Sequence, residues 1–159
     1  MFTHRLSVKN WWPFFILSIN ANGNINLHGF LSLEKIWDDL NFYNNQAFIS
    51  LDGLEKLNTI GGSLMFKQNH HIKDLQGLDV LNTIGVNLSI DQNDSLLTLS
   101  GLEALKSING SLEIKNNKSL IDLSSLLGLN ASAGINIFAN DLLPSLYGLN
   151  NIDPFKIDN

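Results

Sequence analysis

The chain contains no cysteine, so neither a disulfide framework nor a thiolate metal site is available to it. It also lacks a cluster of Lys or Arg. Its net charge of −5 and pI near 5.1 argue against the basic face that nucleic-acid-binding proteins present to phosphates. No apolar run reaches the roughly 20 residues that a membrane-spanning helix needs. We therefore expect no nucleic-acid partner and no transmembrane segment.

Signatures of catalysis and of cofactor binding are missing as well. The four histidines show no metal-ligand spacing such as HxxxH and accompany no nucleophile motif. Two of them, His70 and His71, fall in a turn where neighbouring repeats carry other polar residues, so a solvated turn explains them. The acidic turn DQNDS suggests calcium, but its equivalents KQNHH and KNNKS have the wrong charge. No phosphate-binding glycine loop opens a helix. We expect no enzymatic activity, no cofactor and no metal ion.

What the sequence does contain is an internal repeat. Residues 96–119 read LLTLSGLEALKSINGSLEIKNNKS, and sliding back by 24 residues gives related segments from Ile72 and again from Phe48. A degenerate copy begins at Asn24, a copy with one deletion at Leu120 and a truncated copy at Leu143. A fixed period of this kind is typical of a solenoid, in which stacking makes one continuous core. At 159 residues and 44% hydrophobic content, the chain suits a single folded domain.

Each repeat contains one predicted strand, marked by two apolar residues separated by one variable residue. This alternation predicts strands with one buried face, and their recurrence once per coil predicts a parallel sheet with about 4.8 Å between strands. The fold class is therefore α/β, mostly β: a leucine-rich-repeat or β-solenoid of about five to six coils with a parallel sheet on one side. The paired positions are Leu40 and Phe42, Leu64 and Phe66, Leu88 and Ile90, Leu112 and Ile114, and Ile135 and Ile137.

The rest of each repeat predicts turns. An unbroken asparagine column follows the strands, and we interpret it as a buried hydrogen-bonded ladder, because Asn both donates and accepts and tolerates left-handed dihedrals. Apolar residues then recur every third position, which suits 3₁₀ turns or a bent extended path. Glycines stand at one corner for close backbone approach or positive φ, with Ser125 as the exception. The columns are Asn45, Asn69, Asn93, Asn117 and Asn140, and Gly29, Gly53, Gly77, Gly101 and Gly148.

The two ends leave alternatives open within one domain of residues 1–159. Residues 1–16 are either an aromatic cap over the core or the remnant of a secretory signal, since basic residues precede an apolar run from Trp11 to Ile19. Repeats occupy residues 17–152. Residues 153–159 either cap the last coil or mark a truncation, because Asp153 and Pro154 break the pattern and the chain stops before another strand.

The pattern LxxLxGLxxLxxIxGxLxIxxNxx resembles the receptor L-domain type of leucine-rich repeat over about residues 17–152. That family occurs in ligand-binding ectodomains of insulin- and epidermal-growth-factor-type receptors and in many bacterial and lower-eukaryotic surface proteins. The resemblance implies a right-handed solenoid and an extracellular or cell-surface location. Receptor signalling is not implied, because the chain has no Cys and no kinase.

The outward strand positions are the candidate binding surface. Inward columns are uniform, whereas outward residues vary in charge and size, as on a partner-specific surface or an ordinary solvated face. We expect a non-catalytic scaffold that binds an unknown protein or carbohydrate ligand. The alternatives are a structural repeat fragment of a larger surface protein and an uncharacterised hydrolase. The candidate binding residues are Tyr43, Met65, Lys67, Asp91, Glu113, Lys115 and Phe138.

Overall fold

The computed structural model describes residues 5–8, 17–20, 27–130, 133–152 and 157–158. In these ranges the chain is a parallel β-solenoid of about five turns, with helical structure limited to the two 3₁₀ turns His28–Phe30 and Ser124–Leu126. The predicted mostly β solenoid is confirmed. Its strands are β1 Arg5–Val8, β2 Leu17–Asn20, β3 Lys35–Ile36, β4 Leu40–Tyr43, β5 Thr59–Ile60, β6 Leu64–Lys67, β7 Thr83–Ile84, β8 Leu88–Asp91, β9 Ser107–Ile108, β10 Ser111–Lys115, β11 Gly134–Phe138 and β12 Ile157–Asp158.

The larger sheet has eight strands in the order β1-β2-β4-β6-β8-β10-β11-β12. Its strands pair in parallel from β2 to β12, and residues one period apart are register partners: Leu40 pairs with Leu64, Leu64 with Leu88, and Leu88 with Leu112. Like side chains therefore lie side by side inside the molecule, as the repeat predicts. These leucines are fully buried.

A second parallel sheet, of four two-residue strands in the order β3-β5-β7-β9, was not predicted. It brings Ile36, Ile60, Ile84 and Ile108 into register, and all four side chains are fully buried. The repeat predicts only that apolar residues recur every third position here, and Ile84 and Ile108 belong to that series. The overlooked signal is an Ile at each equivalent position, preceded by Thr in β5 and β7, by Ser in β9 and by Lys in β3, since β-branched residues favour strands.

Consecutive turns connect the two sheets and complete the core. The Leu78 amide donates to the Leu75 carbonyl at 3.2 Å, and the Leu81 amide donates to the Leu78 carbonyl at 2.8 Å. Three-residue turns of this kind bring every third side chain to the same side, so Ile72 and these three leucines are buried. Each such side chain contributes about 1.5–3 kcal/mol when fully removed from water.

Glycine is required at one corner of the inner coils. Gly53, Gly77, Gly101 and Gly148 have φ between +107° and +116°, and a Cβ at Gly101 would overlap the Leu75 carbonyl oxygen. The expectation for Gly29 is wrong, because open space surrounds it and it lies in a 3₁₀ turn. Ser125 occupies the equivalent 3₁₀ turn, where the chain turns the corner without positive φ.

The ends of the larger sheet carry short strands. At one end β1 pairs antiparallel with β2. At the other, β12 pairs in parallel with β11, so the expectation that no strand follows the last repeat is wrong. Residues 9–16 and 153–156, on which the interpretations of the two ends depend, lie outside the described residues.

Candidate functional site

The asparagine column has a structural role and lies at the end of the strands that carry the candidate site. Asn45, Asn69, Asn93 and Asn117 have no exposed surface, and Asn140 is partly buried. The Nδ2 of Asn93 donates to the Phe66 carbonyl at 3.1 Å, and its Oδ1 accepts from the Asn69 amide at 3.0 Å. Its equivalents repeat this pattern, so the predicted ladder is confirmed.

The left-handed backbone lies one residue before each ladder asparagine rather than on it. The five residues there have φ between +53° and +58°. This position turns the chain out of the sheet, and it leaves the following Asn side chain directed inward. The residues are Asn44, Gln68, Gln92, Asn116 and Ala139.

We call the solvent side of the larger sheet the outer face. Because strand residues alternate between the two sides, three rows of side chains cross it. The first row precedes or begins the strands and consists of Asp39, Ser63, Asn87, Ser111 and Gly134. The second row is Asn41, Met65, Ser89, Glu113 and Asn136, and the third is Tyr43, Lys67, Asp91, Lys115 and Phe138.

An open groove of about 500 Å³ crosses the outer face from β6 to β11. Its sides are formed by first-row and second-row side chains, and its floor by the strand backbone at Leu64, Leu88 and Ile135. Five of the lining side chains carry a hydroxyl or an amide group: Ser63, Asn87, Ser89, Ser111 and Asn136. The parallel register places one such group on every strand, so the groove is built by stacking rather than by a loop.

Two of the predicted binding residues, Met65 and Glu113, line the groove. The other five lie in the third row beside it. Tyr43 and Phe138 are 43% and 42% exposed, so both aromatic rings are accessible on the outer face. Three strands separate them, so they do not form one aromatic patch.

Asp91 is less accessible than a ligand-contacting carboxylate should be. Its surface is only 5% exposed, its Oδ2 lies 3.4 Å from Lys67 Nζ, and its Oδ1 accepts a 2.9 Å hydrogen bond from Asn116 Nδ2. These contacts hold the carboxylate on the sheet and neutralise it. They order the third row and leave Asp91 little surface for a ligand, and its role in binding stays a prediction.

Glu113 is the one carboxylate among the described groove-lining residues. Its Oε1 accepts from Lys115 Nζ at 2.7 Å, and its Oε2 accepts from Ser89 Oγ at 3.0 Å. The hydrogen bond to Glu113 raises the pKa of Lys115 above its usual value, against a smaller opposing effect of desolvation. The pair places a positive and a negative group side by side at the edge of the groove.

The first row was not predicted. Ser63, Asn87 and Ser111 each precede a strand leucine by one residue, so extending the period-2 alternation back by one step would have placed them on the outer face. They also link the coils: the Ser111 amide donates to Asn87 Oδ1 at 2.8 Å, and the Asn87 amide donates to Ser63 Oγ at 3.3 Å.

Outside the groove, the histidine turn forms a small polar column. His70 Nδ1 lies 3.6 Å from Asp94 Oδ2, which accepts from Lys118 Nζ at 2.9 Å. Among the described residues, no group of three His, Asp or Glu side chains is arranged to hold a metal ion. In the same part of the chain, no helix has the length and apolarity to cross a membrane.

The fold defines the class of the protein as a parallel β-solenoid repeat protein. Comparisons with family models, with curated protein sequences and with solved structures give no match for this chain.

Proposed function

We propose that this protein is a non-catalytic scaffold of the leucine-rich-repeat, receptor L-domain type, which binds a protein or glycan ligand at a cell surface through its outer face. The observation that carries the proposal is the groove of about 500 Å³, formed by side chains that the core does not use. Inward positions repeat Leu, Ile and Asn from coil to coil, whereas outward positions change in every coil. A rigid sheet with a variable surface suits recognition.

The leucine-rich-repeat assignment is supported by two features of each coil. The repeat pattern places one strand of the larger sheet and one ladder asparagine in each coil, and the asparagine bonds the backbone of its neighbours. A hydrolase has less support. Glycoside hydrolysis, for example, uses two carboxyl groups about the scissile bond, and Glu113 is the one carboxylate among the described lining residues.

The test is to block the outer face and measure ligand capture. The immobilised protein is presented with a glycan array and with an extract of cell-surface proteins. Ser89→Arg places a long charged side chain at the centre of the groove, and we expect it to reduce retention of the ligand at least about tenfold, or about 1.4 kcal/mol. Thr83→Arg is the matched control, because Thr83 is a half-exposed strand residue of the smaller sheet.

A second pair of variants tests whether the aromatic rings of the third row contact the ligand. Tyr43→Ser with Phe138→Ser removes both exposed rings of the third row, and Trp37→Ser with Tyr147→Ser removes two exposed rings elsewhere. Loss of a protein ligand in the first double variant alone identifies the third row as its contact. Retention that is equal in wild type, Ser89→Arg and Thr83→Arg would reject the outer face and leave the structural-fragment alternative.

A further inference from the structure

The charged side chains within and beside the groove form two ion pairs. Lys67 lies 3.4 Å from Asp91, and Lys115 lies 2.7 Å from Glu113. Each positive group therefore has its negative partner on the same face, within or beside the groove. A ligand that carries its own charge would have to compete with these pairs, so the pairing favours an uncharged ligand.

The groups that retain hydrogen-bonding capacity in the groove are amides, hydroxyls and the carboxylate of Glu113, which is paired with Lys115. The exposed Asn136 side chain makes no hydrogen bond with any described residue, so its amide oxygen and both amide hydrogens are available. Asn87 uses its Oδ1 for the Ser111 amide, which leaves its Nδ2 hydrogens. Glu113 accepts one bond on each carboxylate oxygen, so each oxygen can accept one more.

The groove lacks the residues that usually anchor a protein partner. Binding hot spots are enriched in Trp, Tyr and Arg, and the described lining residues include none of these. Met65 is the one large side chain there that is apolar and not fully buried. Protein recognition by this surface would have to rely on Tyr43 and Phe138, which lie outside the groove.

Resting on the proposed function, we infer that the groove binds a neutral oligosaccharide laid across the strands from β6 to β11. The donors and acceptors along its walls match a ligand rich in hydroxyl groups. At least one of them lies on or directly before each strand of the larger sheet from β6 to β11, so a ligand with its own regular repeat meets a hydrogen-bonding group at each step. The groove crosses three inter-strand steps of about 4.8 Å, or about 14 Å, which suits a short segment of a linear glycan.

The test measures binding of defined sugars to the full chain by calorimetry and by saturation-transfer NMR. The probes are cellohexaose, laminarihexaose and chitohexaose as neutral chains, with oligogalacturonate as an acidic chain. We expect at least one neutral probe to bind with a Kd of about 1 mM or tighter, and the acidic chain to bind more weakly. Asn136→Ala and Glu113→Gln should each weaken that binding about fivefold, the usual effect of losing one hydrogen bond.

Gln76→Ala is the matched control, because it removes an exposed amide that lies outside the larger sheet, and it should leave the Kd unchanged. Circular dichroism and urea unfolding show whether each variant keeps the fold. Absence of binding by all neutral probes at about 10 mM overturns the inference, as does binding that is unaffected by both groove variants. A protein ligand lost in Ser89→Arg, with no neutral sugar bound, overturns the inference while sustaining the proposed function.

Discussion

Each ladder asparagine serves two coils at once. Asn93 takes the amide hydrogen of Asn69 on its Oδ1 and gives its own Nδ2 hydrogens to the Phe66 carbonyl and to Asn117 Oδ1, at 3.1 and 3.2 Å. All of these groups are buried, where no water replaces a missing partner. The ladder therefore satisfies the backbone at the point where each coil leaves the sheet.

Asn93→Ala should destabilise the protein by about 3 kcal/mol. The change leaves the Asn69 amide and the Phe66 carbonyl without these buried partners, and each unsatisfied group costs about 1–3 kcal/mol. Urea unfolding followed by circular dichroism measures the loss. Asn41→Ala is the control, because Asn41 is half-buried on the outer face and its side chain makes no hydrogen bond with a described residue. Equal stability of the two variants would contradict the buried ladder.

At the residue scale, a structural role could be predicted from the sequence where packing of the core requires the same side chain in every coil. The ladder could be inferred because the same side chain recurs at one position in five coils. The left-handed residue before it could not, since that position holds Asn, Gln and Ala. Its conformation is imposed by the buried bonds on either side. The burial of Asp91 could not be inferred either. Strand alternation predicts which side of the sheet its side chain lies on, whereas its low exposure depends on the contacts with Lys67 and Asn116.

At the element scale, strand β10 carries both members of the Lys115–Glu113 pair. The contact raises the pKa of Lys115 in the folded protein above its ordinary value of 10.5. A group with a raised pKa adds stability while it is protonated, so this contribution is complete below pH 10.5 and disappears as the pH rises through the higher folded-state value.

Glu113→Gln should lower the pKa of Lys115, because it removes the charged acceptor. NMR titration of the Lys115 side chain measures the pKa directly in wild type and variant. The stability difference between the two proteins should shrink as the pH rises above 10.5. Asp52→Asn, which removes an exposed carboxylate elsewhere, should leave the Lys115 titration unchanged. A Lys115 pKa that is identical in wild type and Glu113→Gln would show that the pair does not form in solution.

The smaller sheet could not be predicted from the alternation of apolar and polar residues. Its strands contain two residues each, which is too short for an alternating pattern to show. The larger sheet could be predicted because its strands have four or five residues through most of the solenoid and alternate buried with outward positions.

At the scale of the whole molecule, most contacts join one coil to the next. Stability should then be a sum over coils and their interfaces, so a complete coil can be removed while the others keep their register. Deletion of residues 72–95 joins His71 to Leu96, which stands one full period after Ile72. We expect a folded protein with lower stability. Its urea m-value should fall by roughly a fifth, because the solenoid has about five turns.

Deletion of residues 72–83, half a period, is the control. It brings turn residues opposite strand residues and should abolish cooperative unfolding. Circular dichroism and urea titration compare the two deletions. If both variants unfold alike, the stability of the solenoid does not depend on coil register.

The architecture of the whole molecule was predictable because every coil repeats the same inward requirements. The groove was not predictable, because it is formed by outward side chains that the packing of the core does not constrain. Ser63, Ser111 and Asn136 face solvent, and nothing in the packing of the core dictates their identity. Their position follows from the fold, whereas their identity does not.

The bonds of the asparagine ladder also give the stack a direction. The backbone amide of each ladder residue from Asn45 to Asn117 donates to the Oδ1 of the ladder asparagine one coil later, and the series ends at Asn140. During synthesis on the ribosome, every coil is therefore completed only when its successor emerges, and assembly should trail translation by a single coil.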